Sequence, residues 1–277
     1  MITASIPSPS QSLIEVGPLT FHFYALCIIL GVVAAVYIGN RRYVAAGGSR
    51  GVVSDVAVIA VPAGIIGGRL YHVITSPQQY FGANGNWIEV FYIWQGGLGI
   101  WGAISLGFAG AYFAYKRHPR NNQISFAIFA DALAPGLLVA QAIGRWGNWF
   151  NKELFGRPLD APWALEIPVQ YRPIGFTSSP TFHPVFLYES IWCLVVAAML
   201  ITYFKGRDLR SGSIFALYVG FYSFGRGLIE LIRIDEANLI FGLRLNVWTS
   251  VFLFLGSIIY LRNRNLRSRS RESRGVE

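Results

Sequence analysis

Charge is scarce in this chain. Lys, Arg, Asp and Glu make up 13% of its 277 residues, where a soluble domain carries about 25%. With 53% hydrophobic residues and a mean hydropathy of +0.44, the shortage excludes an ordinary soluble globule. Much of the surface must meet lipid. Cysteine is rarer still: Cys27 and Cys193 are the only two, both inside apolar runs, which excludes a disulfide framework and a thiolate metal site. Residues 1–16 lack a basic stretch leading into an apolar one, so no cleavable signal is expected. Also missing are a phosphate-binding loop, zinc-ligand spacing and a nucleophile elbow. The chain offers no activated nucleophile of its own.

What is present is a series of long apolar runs. A bilayer core takes roughly 20 apolar residues per helix, and seven stretches qualify: 21–39, 52–74, 97–115, 124–143, 184–204, 213–232 and 245–261. The expected fold is all-α, a polytopic membrane bundle of seven transmembrane helices. The loops set its orientation. Alternate connections, with the tail, hold 15 Lys and Arg, whereas the opposite set holds 6. The positive-inside rule then puts the N-terminus outside and the C-terminus in the cytoplasm. Residues 1–262 read as the membrane domain. The long connection 145–183, rich in proline, reads as a small extracytoplasmic head, with a short strand expected within 163–171. Residues 263–277 are Arg- and Ser-rich and read as a disordered cytoplasmic tail that meets anionic lipid headgroups. Lacking interleaved aromatics, the tail does not favour nucleic acid.

Polar residues inside these apolar runs are expensive and call for a role. Tyr222, Arg226 and Glu230 recur at four-residue spacing and share a helix face, with Arg233 three further on. Glu230 alone does not neutralise Arg226 and Arg233, so the stripe reads as an anion site. A second cluster follows the fourth run, where Arg145, Asn148, Asn151 and Glu153 crowd into nine residues between Gly144 and Gly156. There the glycines are expected to loosen the backbone at the helix exit, with Gly156 in a turn. Trp146 and Trp149 suit an interfacial belt. Arg69 either snorkels to the interface or joins the site. His183 reads as a hydrogen-bonded structural residue or a base. Tyr24 reads as an interface anchor, and Asp131 as the partner of backbone freed by Pro135. Guanidinium groups suit phosphate, being planar, forked and permanently charged. Together these residues describe a cavity opening to the outer leaflet, in which a phospholipid headgroup is the obvious anion.

The run Gly144-Arg145-x-Gly147-Asn148-x-x-Asn151-x-Glu153-x-x-Gly156 resembles the signature of bacterial prolipoprotein diacylglyceryl transferases. The resemblance covers nearly the whole chain. It extends to the stretch from Phe21 through His22 to Tyr24, to Gly67-Gly68-Arg69, to His183-Pro184 with Tyr188 and Glu189, and to the Tyr222 stripe. It implies a multi-pass enzyme of the bacterial plasma membrane, with no metal or cofactor. The implied reaction moves the diacylglyceryl group of phosphatidylglycerol onto the thiol of a lipobox cysteine in a preprolipoprotein. Many family members carry a His-Gly-Gly element in the third helix. This chain has Trp101 in the matching stretch, so that histidine is not its base.

The nucleophile then belongs to the substrate. Arg145 and Arg226 are expected to hold the departing phosphate, with Arg233 beside them. Asn148, Asn151, Tyr24, Tyr222 and Gly156 are expected to shape the phosphatidylglycerol site. Glu153, Glu230 and His183 all stand as proton acceptors. The alternative reading is a transporter or flippase for an anionic lipid or solute.

Overall fold

The computed structural model describes residues 5–17, 19–82, 85–120, 124–204, 209–237 and 239–272, with backbone alone at Leu19 and 265–272. Among these residues, seven helices are longer than four turns. They are α1 (Phe23–Ala45), α2 (Val52–Thr75), α3 (Ile100–Lys116), α4 (Phe126–Asn151), α5 (Val185–Thr202), α6 (Ser213–Glu230) and α7 (Leu245–Glu272). Five are long and apolar enough to cross a membrane: α1, α2, α4, α5, and α7 over Leu245–Arg264. The chain is thus a mostly helical membrane protein. Its contacts divide it into two compact units, Met1–Gly39 with Ala130–Glu277, and Asn40–Phe129.

In the second unit α2 packs along α3 at very short range. A Cβ on Gly67 would lie 2.2 Å from the Gly102 carbonyl oxygen, and one on Gly102 would lie 2.0 Å from that of Gly67. Small residues are what let two membrane helices approach this closely. Arg69, on the same helix, is buried. It neither snorkels nor presents a free guanidinium. Its nitrogens donate to the carbonyls of Val90 at 2.8 Å, Gly96 at 2.8 Å and Gly97 at 3.2 Å, and to that of Glu89. The arginine satisfies the irregular backbone of the connection between α2 and α3.

The first unit holds α5, α6, α7 and most of α1 and α4. Ala134, Leu138 and Ala142 of α4 bury against Cys193, Val196, Ala197 and Leu200 of α5, with α6 completing the cluster. Asp131 has a role beyond the one its nearness to Pro135 suggested. Its carboxylate accepts from the Gly212 amide at 2.6 Å and the Phe215 amide at 2.8 Å. It therefore caps α6 from a neighbouring helix, where orphan N–H groups need an acceptor. The helix that carries the Tyr222 stripe is held in register by a carboxylate on α4.

The expected exit at Ile143 is also corrected: α4 continues through Gly144 and Gly147 to Asn151, and Gly147 packs closely against the Tyr24 ring. Lys152 and Leu154 follow with φ of 55° and 57°, a left-handed conformation that is uncommon for residues with a Cβ. Beyond them comes the head. The strand expected within 163–171 is only β3 (Leu165–Glu166), paired with β4 (Thr181–Phe182) and followed by a 3-10 turn at Val169–Tyr171. Ile6 bridges to Leu165, Pro158 to Phe182, and Gly156 to Arg233. Phe155, Leu165, Ile167, Phe182 and Phe186 form the core of this head. Two hairpins complete the unit, β1 (Leu13–Val16) with β2 (Leu19–His22), and β5 (Leu239–Ile240) with β6 (Leu243–Arg244). The backbone of α7 runs helical to Glu272, past the point where the ordered chain was expected to end. Residues 273–277, the last of that expected tail, lie outside the described residues.

Replacing Asp131 with Ala should lower stability by about 1–2 kcal/mol, the usual cost of a lost cap. Unfolding in detergent micelles measures it, and an unchanged midpoint would contradict the capping role.

Candidate functional site

The site is a chain of ion pairs across α4, α5, α6 and the β5–β6 hairpin. Arg145 of α4 pairs with Glu189 of α5. The other oxygen of Glu189 takes Arg226 Nη1 at 2.7 Å. Arg226 reaches Glu230 at 2.6 Å, one turn along α6. Glu230 also holds Arg244 at 2.6 Å and Arg233 at 3.5 Å, and accepts Asn246 Nδ2 at 3.1 Å. Asp235 closes the chain, taking Arg233 at 2.7 Å and Arg244 at 2.8 Å. Burial in a membrane protein makes each of these charges costly unless it is paired. Here every carboxylate serves at least two guanidiniums.

Four guanidiniums thus face three carboxylates, leaving one positive charge in excess. Their exposure separates them. Arg145 keeps 21% of its side chain open and Arg226 15%, while Arg233 keeps 6%. All three nitrogens of Arg233 are engaged by acids. Arg145 has one acid, and its other contacts are loose: Asn148 Oδ1 and the Tyr222 hydroxyl, both at 3.4 Å. The most accessible cation is therefore also the least committed.

Around Arg145 the signature residues converge. Glu153 accepts Asn148 Nδ2 at 2.8 Å and Asn151 Nδ2 at 3.3 Å. Tyr24 of α1 lies on Gly147, where a Cβ would fall 2.5 Å from its ring. The glycine thus keeps the Tyr24 ring against α4. Gly156 is no turn residue: its amide donates to the His183 carbonyl at 3.0 Å, and a Cβ there would meet His183 Cβ at 2.9 Å and the Ile232 carbonyl oxygen at 3.0 Å. It lets the head's backbone close down on the segment that carries Arg233. His183 Nδ1 lies 3.1 Å from the Tyr188 hydroxyl. Burial, and then the charge of Arg157, hold this imidazole below its ordinary range.

The sequence reading brought Arg145, Asn148, Asn151, Glu153, Tyr222, Arg226, Glu230 and Arg233 forward, and they do stand together. It left Glu189 out of the site. The signal was a carboxylate inside an apolar run, unmatched by any cation on its own helix. Arg244 and Asp235 carried no such signal, since only the hairpin fold brings Arg244 to Glu230 and Asp235.

With this geometry in view, likeness to known proteins decides the family. The sequence pattern of the family described as "Prolipoprotein diacylglyceryl transferase" matches residues 11–262. The chain belongs to that family. It is 54% identical over 261 residues to phosphatidylglycerol--prolipoprotein diacylglyceryl transferase 2 of Streptomyces coelicolor, covering 94% of this chain and 81% of that one. It is 52% identical over 257 residues to the phosphatidylglycerol--prolipoprotein diacylglyceryl transferase of Cutibacterium acnes, covering 93% and 86%.

Two outcomes follow from the charge network. Glu189→Gln should cost about 3–5 kcal/mol by stranding two guanidiniums, whereas Glu153→Gln, at an exposed position, should cost far less. Equal unfolding midpoints in micelles would contradict this. Asp235 gives the network a pH dependence. Burial alone would raise its carboxyl, but the hydrogen bonds and charge of Arg233, with Arg244, outweigh that and hold it below the usual range. Its contribution is then complete above the unfolded value of about 3.9 and is lost as pH falls through the lower folded value. The unfolding midpoint of Asp235→Asn should change less across that acid range than wild type's. An equally steep fall would contradict it.

Proposed function

We infer that this chain transfers the diacylglyceryl group of phosphatidylglycerol to the thiol of a lipobox cysteine in a prolipoprotein. A thioether forms and glycerol phosphate leaves. The observation that carries the inference is the open, singly paired Arg145 beside Arg226 in a network with one positive charge in excess. Family membership and the names of the relatives point the same way.

The chemistry makes such a site sufficient. A cysteine thiol ionises near pH 8.5, so about a few per cent is thiolate at neutral pH. The sulfur attacks the glycerol carbon of the diacylglycerol moiety, and that carbon's bond to the phosphate oxygen breaks. The phosphodiester carries one negative charge; the departing phosphate monoester acquires a second. The excess guanidinium charge offsets the first, and the donors of Arg145 and Arg226 stabilise the second as it develops. Asn148, Asn151, Tyr24 and Tyr222 orient the headgroup. Glu153 receives the thiol proton. Glu230 is fully buried among Arg226, Arg233 and Arg244, and we assign it and Arg233 to holding Arg226 in place. His183 has its basicity depressed, so we assign it to the packing of the head, with Gly156 beside it. Phosphate binding, rather than a strong base, carries the rate, which suits a chain with Trp101 in its third helix.

In this reading α3 and α6 join the five apolar helices to give seven crossings of the bacterial plasma membrane. The N-terminus lies outside and the C-terminus in the cytoplasm, as the split of Lys and Arg argues. Residues 1–262 form the membrane enzyme, the head at about 145–183 meets the prolipoprotein, and the basic tail from 263 meets anionic lipid headgroups.

Arg145→Ala and Arg226→Ala should each cut transfer to a lipobox reporter by about 10²–10³-fold at normal expression, while the wild-type chain with Trp101 is active. Mass spectrometry of the reporter reads the diacylglyceryl gain. Retained transfer in either variant would overturn its assigned role.

A further inference from the structure

The polar character of the site continues past the ion network. Four residues before Arg145 on α4 stands Gln141, and four before Tyr222 on α6 stands Tyr218. Each pair shares a helix face, about 6 Å apart along the axis. Gln141 Nε2 donates to the Tyr218 hydroxyl at 3.1 Å, and the Tyr218 and Tyr222 rings are 6.2 Å apart. Their surroundings are apolar, with Leu138, Ala142 and Cys193 fully buried nearby. The amide oxygen of Gln141 is buried and has no hydrogen-bond partner among the described residues. A buried acceptor left unpaired is costly and rare enough to need a reason. A staple between α4 and α6 would use only the amide nitrogen.

We propose that Gln141 and Tyr218 form a hydroxyl-binding step beneath the arginines, which takes the free diol of a phosphoglycerol headgroup and selects lipids whose headgroup is an uncharged polyol. The proposal rests on the transferase reading of the same site and names what fixes its donor lipid. With phosphate at Arg145 and Arg226, the three-carbon glycerol beyond it is of a size to reach the next helical turn. One hydroxyl donates to the Gln141 carbonyl. The Tyr218 hydroxyl, already accepting from the Gln141 amide, has its own proton free for the other. An ammonium headgroup would instead bring a cation into an apolar layer beneath guanidiniums already in excess, where nothing among the described residues neutralises it. A neutral amide and a neutral phenol match a diol and add no charge of their own.

The test compares two donor lipids of equal phosphodiester charge, phosphatidylglycerol and phosphatidylpropanol, which lacks both hydroxyls. Purified full-length protein in mixed micelles transfers to a lipobox-cysteine peptide, with rates read by mass spectrometry. Wild type should prefer phosphatidylglycerol. Gln141→Leu should narrow that preference about tenfold, the value of one hydrogen bond, and Tyr218→Phe should narrow it in the same direction. An unchanged ratio in both variants, even with lower absolute rates, would show a staple and overturn the proposal. If Gln141→Leu does not fold, the ratio for Tyr218→Phe decides alone. Wild type that transfers from neither lipid would overturn the transferase reading itself, a distinct result.

Discussion

A buried guanidinium needs an acid, and a buried acid needs more than one donor. That constraint shapes the first unit. Glu189 joins α5 to α4 and α6 through Arg145 and Arg226, and Glu230 joins α6 to the hairpin before α7 through Arg244. Removing any member strands a charge in a medium where isolated arginines cost about 2.5–3.5 kcal/mol or more. The helices are therefore tied together at the level of the arginine network, where we place the chemistry, and the accessible donors of Arg145 stand on a framework braced by ion pairs. Preorganisation of this kind is what electrostatic catalysis requires.

The framework also distributes roles by exposure. Arg233 and Arg244 are sunk into Glu230 and Asp235 and act as support. Arg145 stands at the open end with one acid and loose neutral contacts, which the proposed function has it exchange for phosphate. The backbone closes the same circuit from the head: Gly156 binds the His183 carbonyl and bridges to Arg233. Asp131 holds the start of α6, so the stripe from Tyr218 to Glu230 is fixed at both ends. A substrate that brings its own sulfur needs little else from the protein than a rigid, cation-rich cradle.

Much of this was legible in residue order, and the reason is periodicity. Apolar runs of helix length marked all seven long helices, with boundaries mostly within three residues. Four-residue spacing put Tyr222, Arg226 and Glu230 on one face. What was not legible depended on contacts between elements. Asp131 caps a helix some 80 residues away, a partner no local pattern names. Arg69 looked like a snorkelling or functional cation and instead feeds carbonyls of a loop 20 to 28 residues on. Gly144 and Gly147 were expected to loosen the backbone at a helix exit, yet α4 runs through both, and Gly147 packs against Tyr24. Arg244 met Glu230 and Asp235 only through the β5–β6 hairpin. The family resemblance supplied the reaction; the geometry showed how the buried charges are held.

The central claim is that the arginine cluster grips the lipid phosphate. The most direct measurement is an experimental structure with a short-chain phosphatidylglycerol analogue whose scissile ester oxygen is replaced by methylene. The account predicts phosphate oxygens at charge-assisted distance, about 2.7–2.9 Å, from the guanidiniums of Arg145 and Arg226, with Glu189 still bridging the two. A phosphate bound elsewhere, with both guanidiniums still fully engaged by protein, would contradict it.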